Sequence, residues 1–298
     1  MAEFAKACDC AWEDQNKPPK ERGIHHLLLL GQGGSGKTHV MQKLVFDVVG
    51  FIWPPPSPDE PTMHVVAFSN AQAKNISTEF LKTRTIHNAC CMRVQRLENP
   101  KMRPGNKQKS LTRLWDKCMV LVIEEISMVS APLYNMLDFR SMYGRSKTHE
   151  VHEHNYAQYG NAFGKVPIVI HLGDFLQLKP TANISLIDDL NAKDDDGEYC
   201  HQDVSVEVQH ACRLFTSIPF VIELHGTKRF VPGDPLIDFL GCMRTGSTIT
   251  RKVWRAFEAT FAIDLPGELD PRHLESKFMN GYGMSMYWET LSRWSILI

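Results

Sequence analysis

The residues best suited to carry chemistry lie at positions 31–38, where the sequence reads GQGGSGKT. Its glycines allow the backbone to turn tightly with its N–H groups facing inward, and such a nest binds anions. The Lys37 amine can reach the β- and γ-phosphates of a nucleotide, and the Thr38 hydroxyl can hold Mg²⁺. This P-loop pattern predicts a nucleotide site made of Gly31, Gly33, Gly34, Ser35, Gly36, Lys37 and Thr38.

The segments that flank the motif agree with this prediction. Residues 27–30 form an apolar run of strand length, and residues 38–49 place apolar side chains on one helical face. A P-loop requires a strand before the glycines and a helix after them, because the positive end of the helix then faces the phosphates.

Two later apolar runs also end in polar residues. Residues 119–123 (MVLVI) run into Glu124 and Glu125, and residues 166–172 (VPIVIHL) lead to Gln177. In parallel sheets, ligands collect at the carboxyl ends of the strands. We therefore expect one of the two carboxylates to hold Mg²⁺, directly or through water, and the next to orient the attacking water. We expect Gln177 to sense the γ-phosphate.

The bulk composition narrows the class of protein. Hydrophobic content of 43% and charged content of 22% are typical of a soluble globular protein. A net charge of −1 gives no overall field for a polyanion, so a nucleic-acid surface has to be local. No apolar run is long enough to span a bilayer, and the early acidic residues argue against a leader peptide, so we expect no membrane partner. The eight cysteines lack zinc spacing, and we expect neither zinc nor disulfides.

The spacing of the apolar runs indicates the architecture. Short runs without alternation, separated by helix-like stretches, predict a parallel sheet covered on both faces, and hence an α/β, three-layer P-loop NTPase fold. We expect an irregular lead-in over 1–25, a nucleotide-binding lobe over 26–230, and a linker with the incomplete start of a second lobe over 231–298. The sequence stops inside an apolar stretch, which we interpret as a truncated product.

One segment is strongly basic. Residues 93–117 contain eight Lys or Arg residues against two acidic ones. We expect this insertion to contact nucleic-acid phosphates through Lys101, Arg103, Lys107 and Lys109. The alternative is an ordinary solvated insertion.

The order of the motifs resembles that of one known family. The PIF-family, RecD-like superfamily-one DNA helicases have successive motifs that look like GQGGSGKT, AFSNAQAKNI followed by TIH, IEEISMV, GDFLQLKP, and ELHGTKRF leading to FLGCMRTG. The resemblance covers residues 26–246. It implies two RecA-like lobes that bind ATP and Mg²⁺ between them, and movement 5′ to 3′ along single-stranded DNA. This chain resembles the first of those lobes.

The resemblance also implies roles for particular residues. It makes Glu124 and Glu125 the Mg²⁺ and water carboxylates, and it makes Arg229 a cationic contact to the γ-phosphate. The segments that line the DNA path in the family contain Asn70, Thr85 and His87. Single-stranded or forked DNA is the implied partner, and the nucleus or mitochondrion is the implied compartment in a eukaryote. DNA repair, recombination and telomere maintenance are the implied processes.

Two departures from the family pattern bear on activity. Glu124 stands where the family usually has Asp, and Mg²⁺ demands near-ideal octahedral geometry, so the longer arm can shift the ion. No segment after Gly246 resembles the late motifs of the second lobe. We therefore weigh a helicase against two alternatives. One is an ATP- and DNA-binding module without unwinding activity, and the other is an unrelated P-loop enzyme such as a small-molecule kinase, in whose lid GDFLQL and TKRF have no role.

Overall fold

A computed structural model describes residues 2–18, 21–57, 60–77, 83–92, 106–149, 159–181, 183–191 and 204–260. The chain divides into two compact units, Met1–Arg229 and Phe230–Ile298. Among the described residues, no helix has the length and apolar character needed to cross a membrane.

The first unit is built on a six-stranded sheet. Its strands are β1 (His25–Gly31), β2 (Met63–Ala67), β3 (Arg84–Thr85), β4 (Val120–Ile123), β5 (Ile168–Gly173) and β6 (Phe220–Leu224). They lie in the order β3-β2-β4-β5-β1-β6, and every pairing is parallel. The predicted α/β class with a mainly parallel sheet is therefore confirmed. The apolar runs of β1, β2, β4 and β5 form strands because continuous Val, Leu and Ile suit a sheet that is buried on both faces.

The helices cover both faces of the sheet. They are α1 (Ala2–Asp14), α2 (Lys37–Val40), α3 (Asp47–Ile52), α4 (Asn70–Ile76), α5 (Ile86–Ala89), α6 (Asn106–Trp115), α7 (Ala131–His149) and α8 (Val206–Thr216). A π-helical stretch, Met41–Phe46, joins α2 to α3, so the helix that follows the P-loop is longer than predicted. Successive side chains of β1 alternate between two cores: Leu28 packs in the core beside α6, α7 and α8, whereas Leu27 and Leu29 pack beside α1, α2 and α3. This alternation makes the three layers.

The prediction of an irregular lead-in over residues 1–25 is wrong for its first half, which forms α1. Phe4, Ala7, Cys8 and Ala11 are buried and recur at the i, i+3, i+4 and i+7 spacing of one helical face. They join the core beside β1 and β5. The charged residues between them gave the segment its polar average and concealed this pattern.

The second unit is described over residues 230–260. It contains α9 (Pro235–Thr245), with Asp234 as its N-cap, and α10 (Arg251–Thr260). The two helices meet through aromatic rings, because Phe239 stacks on Phe257 with ring centroids 3.9 Å apart. The assignment of residues 231–298 to the start of a second lobe stays a prediction.

Close packing of α6 on α7 depends on one glycine. A Cβ atom added at Gly144 would lie 2.9 Å from Trp115 Cβ and 3.0 Å from the Leu111 carbonyl oxygen. Both neighbours are fully buried. Gly144 therefore allows α7 to lie against α6 and the adjacent end of β4.

We predict that Gly144→Ala destabilises the first unit by about 1–3 kcal/mol, because the overpacking outweighs the helix propensity of alanine. Gly50→Ala is the matched control, since Gly50 is an exposed helical residue in α3 with open space at its Cβ position. That variant should gain up to about 1 kcal/mol. Urea unfolding measures both free energies. An equal gain in the two variants would contradict the close packing of α6 on α7.

Candidate nucleotide site

Three strands deliver polar residues to one edge of the sheet. The P-loop follows β1, Glu124 and Glu125 follow β4, and Asp174 follows β5, which lies between β4 and β1. The Glu124 amide also donates to the Val66 carbonyl at 2.8 Å, so the ladder with β2 continues to the first carboxylate. The carboxyl ends of parallel strands therefore bring the predicted groups together.

The P-loop has the backbone conformation that its glycines allow. Gly34 and Gly36 have φ angles of +80° and +97°, which L side chains rarely adopt. A Cβ atom added at Gly36 would meet nothing within 4 Å, so open space lies at the N-terminus of α2. This cradle fits a phosphate group, which inward N–H groups and the helix dipole would stabilise. The Ser35 hydroxyl is buried there and lacks a hydrogen-bond partner among the described residues.

Lys37 is held over the loop rather than extended into solvent. Its side chain is buried, and its Nζ donates to the carbonyls of Gly31 at 2.5 Å and Gln32 at 3.3 Å. Its positive charge opposes the rise in the pKa of both Glu124 and Glu125 that burial causes. A lysine that is held in place by carbonyls before a ligand binds is already positioned for β- and γ-phosphate oxygens.

The two adjacent glutamates follow β4, and Glu124 is buried whereas Glu125 is half-buried. Burial, and then the neighbouring charge of Glu125, raise the pKa of Glu124 from 4.5 to about 7. Burial is also the main cause of the raised pKa of Glu125, to which the charge of Asp174 contributes. Oε1 of Glu124 and Oε2 of Glu125 are buried without a hydrogen-bond partner among the described residues. Such oxygens fit a hard cation such as Mg²⁺, because a cation would compensate both their lost hydration and their mutual repulsion.

The backbone at Glu125 is strained. Its φ of 52° and ψ of 50° place it in the left-handed region, and a short 3₁₀ helix, Ile126–Met128, follows it directly. A non-glycine residue in this conformation costs about 1–2 kcal/mol. Such strain concentrates at functional sites, and here it turns the chain sharply after the two carboxylates.

The loop after β5 supplies a third carboxylate that the sequence analysis did not assign to the site. Asp174 is buried, and its Oδ2 accepts a hydrogen bond from Gln177 Nε2 at 3.1 Å. The same Nε2 lies 3.7 Å from the Cβ position of Gly33, so Gln177 reaches the P-loop as the sensor prediction requires. The signal for Asp174 was its position directly after a predicted buried strand.

Arg229 also lies against the P-loop. A Cβ atom added at Gly34 would be 2.6 Å from Arg229 Cβ, and the Lys228 amide donates to the Gly34 carbonyl at 2.6 Å. The Arg229 side chain is exposed. It can therefore reach an anion bound at the loop, as the resemblance implied.

Thr38 lies in the helix after the P-loop and Glu124 lies directly after β4, and their role in holding Mg²⁺ stays a prediction. Thr38 is exposed in the first turn of α2, and its hydroxyl is open to a ligand. The described part of the chain has no group of three His, Cys, Asp or Glu side chains arranged to hold a metal. A Mg²⁺ ion that enters with a nucleotide needs only one or two protein side chains, since phosphate oxygens and waters complete its octahedron.

The residues predicted to contact DNA are placed at separate points. Asn70 is exposed at the start of α4, and His87 is half-buried in α5. The Thr85 hydroxyl is buried and caps α5 by accepting the Asn88 amide at 3.3 Å, so its side chain has a structural role. Lys107 and Lys109 are exposed on α6, whereas Lys101 and Arg103 lie outside the described residues.

A P-loop lysine beside an open cradle, with two carboxylates at the same edge of a parallel sheet, defines a P-loop nucleotide-binding protein. Comparison with known families makes this class more specific. The model of the PIF1-like helicase family matches residues 19–190, more than half of the sequence. The chain therefore belongs to the PIF1-like helicase family.

One solved structure supports the fold. The Pif1 helicase from Candida albicans superposes with a TM-score of 0.52 at 21% identity, over 82% of this chain and 45% of that one. Unliganded Pif1 from Bacteroides sp. gives a TM-score of 0.47 at 18% identity, over 86% of this chain and 47% of that one. The chain thus spans about half the length of these helicases. No curated protein sequence matches it significantly.

We predict that removing the ionisable group of Glu124 changes how stability depends on pH. Because the folded-state pKa is raised from 4.5 to about 7, wild-type stability falls as the pH rises between these two values. Glu124→Gln has no carboxyl group to titrate at this position, so its stability should not show this fall. Without nucleotide and with EDTA present, the variant should gain about 1–3 kcal/mol relative to wild type between pH 5 and pH 8.5. Denaturant unfolding at both pH values measures this gain.

Glu13→Gln is the control, because Glu13 is an exposed residue on α1. Its pH profile should follow that of wild type. Parallel profiles for Glu124→Gln and wild type would show that the Glu124 carboxyl is better hydrated than its burial indicates.

Proposed function

We propose that this chain is the ATP-binding part of a DNA helicase, which couples ATP hydrolysis to 5′ to 3′ movement along single-stranded DNA. One observation supports the proposal most strongly. One edge of the sheet carries the buried Lys37 amine, the partnerless oxygens of Glu124 and Glu125, and the open cradle at Gly36. Phosphate, divalent cation and attacking water each have a group suited to them there.

The division of labour follows from chemistry and position. The P-loop amides and Lys37 would bind the phosphates, while the Thr38 hydroxyl and Glu124 would hold Mg²⁺. When bound, Mg²⁺ neutralises phosphate charge that develops during hydrolysis. Glu125 would accept a hydrogen bond from the attacking water and orient it, since its raised pKa makes it a better base than an exposed carboxylate. Gln177 and Arg229 would contact the γ-phosphate.

The DNA part of the proposal concerns the same edge of the sheet. The helices α4 and α5 begin directly after β2 and β3, so Asn70 and His87 lie where those strands end. We propose that single-stranded or forked DNA binds along this edge, and that the exposed cations of α6 contribute phosphate contacts. Roles in DNA repair, recombination and telomere maintenance, in the nucleus or mitochondrion, belong to the same proposal and rest on the family resemblance.

A binding module without unwinding activity is the second candidate. It is favoured by Glu124, whose longer side chain stands where the family usually has Asp and can shift the Mg²⁺ ion. Strand displacement and DNA-stimulated hydrolysis separate the two candidates. The helicase shows both, whereas the module binds ATP and DNA with little turnover.

Two variants should separate binding from chemistry. Lys37→Ala removes the cation that faces the β- and γ-phosphates and should weaken ATP binding about tenfold or more. Glu125→Gln keeps the shape of the side chain but not its basicity, so it should bind ATP normally and hydrolyse it about 10²-fold or more slowly. Fluorescence titration and phosphate release are the measurements.

His39→Ala is the control for both variants, because His39 is exposed in α2 one residue beyond the site. It should bind and hydrolyse ATP as wild type does. If Lys37→Ala bound ATP with wild-type affinity, the P-loop assignment would be wrong.

The basic surface of α6 makes a separate prediction. Neutralising Lys107 and Lys109 to Ala should weaken single-stranded DNA binding without sequence preference. It should also reduce the logarithmic salt slope by up to about 0.7 per lost phosphate contact. Lys6→Ala with Lys17→Ala, on the opposite side of the sheet, is the charge-matched control. Unchanged affinity and slope in the α6 variant would identify this segment as a solvated insertion.

A further inference from the structure

A short segment after β6 contacts the P-loop through more than Arg229. We call Gly226–Arg229 the connector. Its Lys228 amide donates to the Gly34 carbonyl at 2.6 Å. A Cβ atom added at Gly34 would lie 2.8 Å from Thr227 Oγ1 and 2.6 Å from Arg229 Cβ. The connector therefore lies directly on the loop, and only a glycine at position 34 allows this approach.

The connector is also held in shape by its own threonine. The Arg229 amide donates to Thr227 Oγ1 at 3.2 Å, which closes a local turn of the kind that serine and threonine favour. Gly226 reverses the chain just before it, with a φ of +76°. Arg229 and Lys228 are exposed, and the backbone of both residues lies against Gly34. The Thr227 hydroxyl therefore fixes where the Arg229 side chain begins.

The location of Arg229 bears on which phosphate it meets. The cradle at Gly36 and the N-terminus of α2 suit a phosphate that both ADP and ATP carry. Gln177 and Arg229 approach the loop at the neighbouring residues Gly33 and Gly34, whereas nothing lies within 4 Å of the Cβ position of Gly36. Both side chains can therefore converge on one additional phosphate, which ATP has and ADP lacks.

We propose that Thr227 is a positioning residue that sets the preference of the site for a nucleoside triphosphate over a diphosphate, acting through Arg229. The inference rests on the proposed nucleotide function. A guanidinium binds a phosphate tightly only when the guanidinium is positioned correctly beforehand, because the long arginine side chain otherwise loses conformational entropy on binding. The Thr227 turn reduces that loss by fixing the backbone from which the side chain extends.

The test compares ADP with a non-hydrolysable ATP analogue on the full 298-residue chain. Thr227→Ala should weaken binding of the triphosphate analogue about 3- to 10-fold and leave ADP affinity unchanged. Thr227→Ser keeps the hydroxyl and should retain the wild-type ratio of the two affinities. In an Arg229→Ala background, Thr227→Ala should have no further effect on that ratio, since the residue through which it acts is gone.

The outcomes distinguish this inference from the function on which it rests. Wild type that binds neither nucleotide would overturn both. If wild type binds both nucleotides and Thr227→Ala has the same ratio of the two affinities as wild type, the inference is overturned and the nucleotide function stands. If Thr227→Ala unfolds, the double variant Thr227→Ser with Arg229→Ala takes its place. A wild-type ratio of triphosphate to diphosphate affinity in that variant would overturn the inference, because the preference would then not depend on Arg229.

Discussion

The site depends on one constraint, which is that a buried carboxylate and a half-buried carboxylate are adjacent in the same site as a buried lysine. Each buried carboxylate loses hydration, and the pair also repel each other, so the charged form of both is disfavoured. Lys37 offsets part of this cost, yet the pKa of Glu124 still rises to about 7. Oxygens of both Glu124 and Glu125 lack partners in the described structure. A divalent cation that enters with nucleotide phosphates would compensate the charge and the lost hydration of these carboxylates. The site would therefore be complete only with its ligand bound.

The sheet holds this unfavourable arrangement in place. The buried strands β4 and β5 fix the backbone positions from which the two glutamates and Asp174 extend. The P-loop is held from both sides, by Gln177 near Gly33 and by the connector at Gly34. Gln177 and the connector thus contact neighbouring glycines of one loop, so a phosphate bound there would lie close to both.

Much of this could be predicted from sequence, for physical reasons that also account for the failures. Buried parallel strands need unbroken apolar runs, and a strand that leads through clustered glycines to a lysine is typical of a phosphate-binding loop, so the sheet and the P-loop were recognisable. The two-residue strand β3 carries no such pattern. The amphipathic face of α1 was obscured by the charges between its apolar residues. The contact of Arg229 with Gly34 joins distant parts of the chain, and no local pattern encodes it. Family resemblance supplied the role of Arg229, and only the fold showed that Thr227 adjoins it.

The central claim is that Lys37, Glu124 and Glu125 form one site for a nucleotide together with its metal ion. Calorimetric titration of the purified chain with ATP, once in excess Mg²⁺ and once in EDTA, tests this claim most directly. The partnerless carboxylate oxygens predict that Mg²⁺ tightens binding about tenfold or more, because without the cation they repel the incoming phosphates. Equal affinity with and without Mg²⁺ would contradict the account, since the buried glutamates would then take no part in holding the nucleotide.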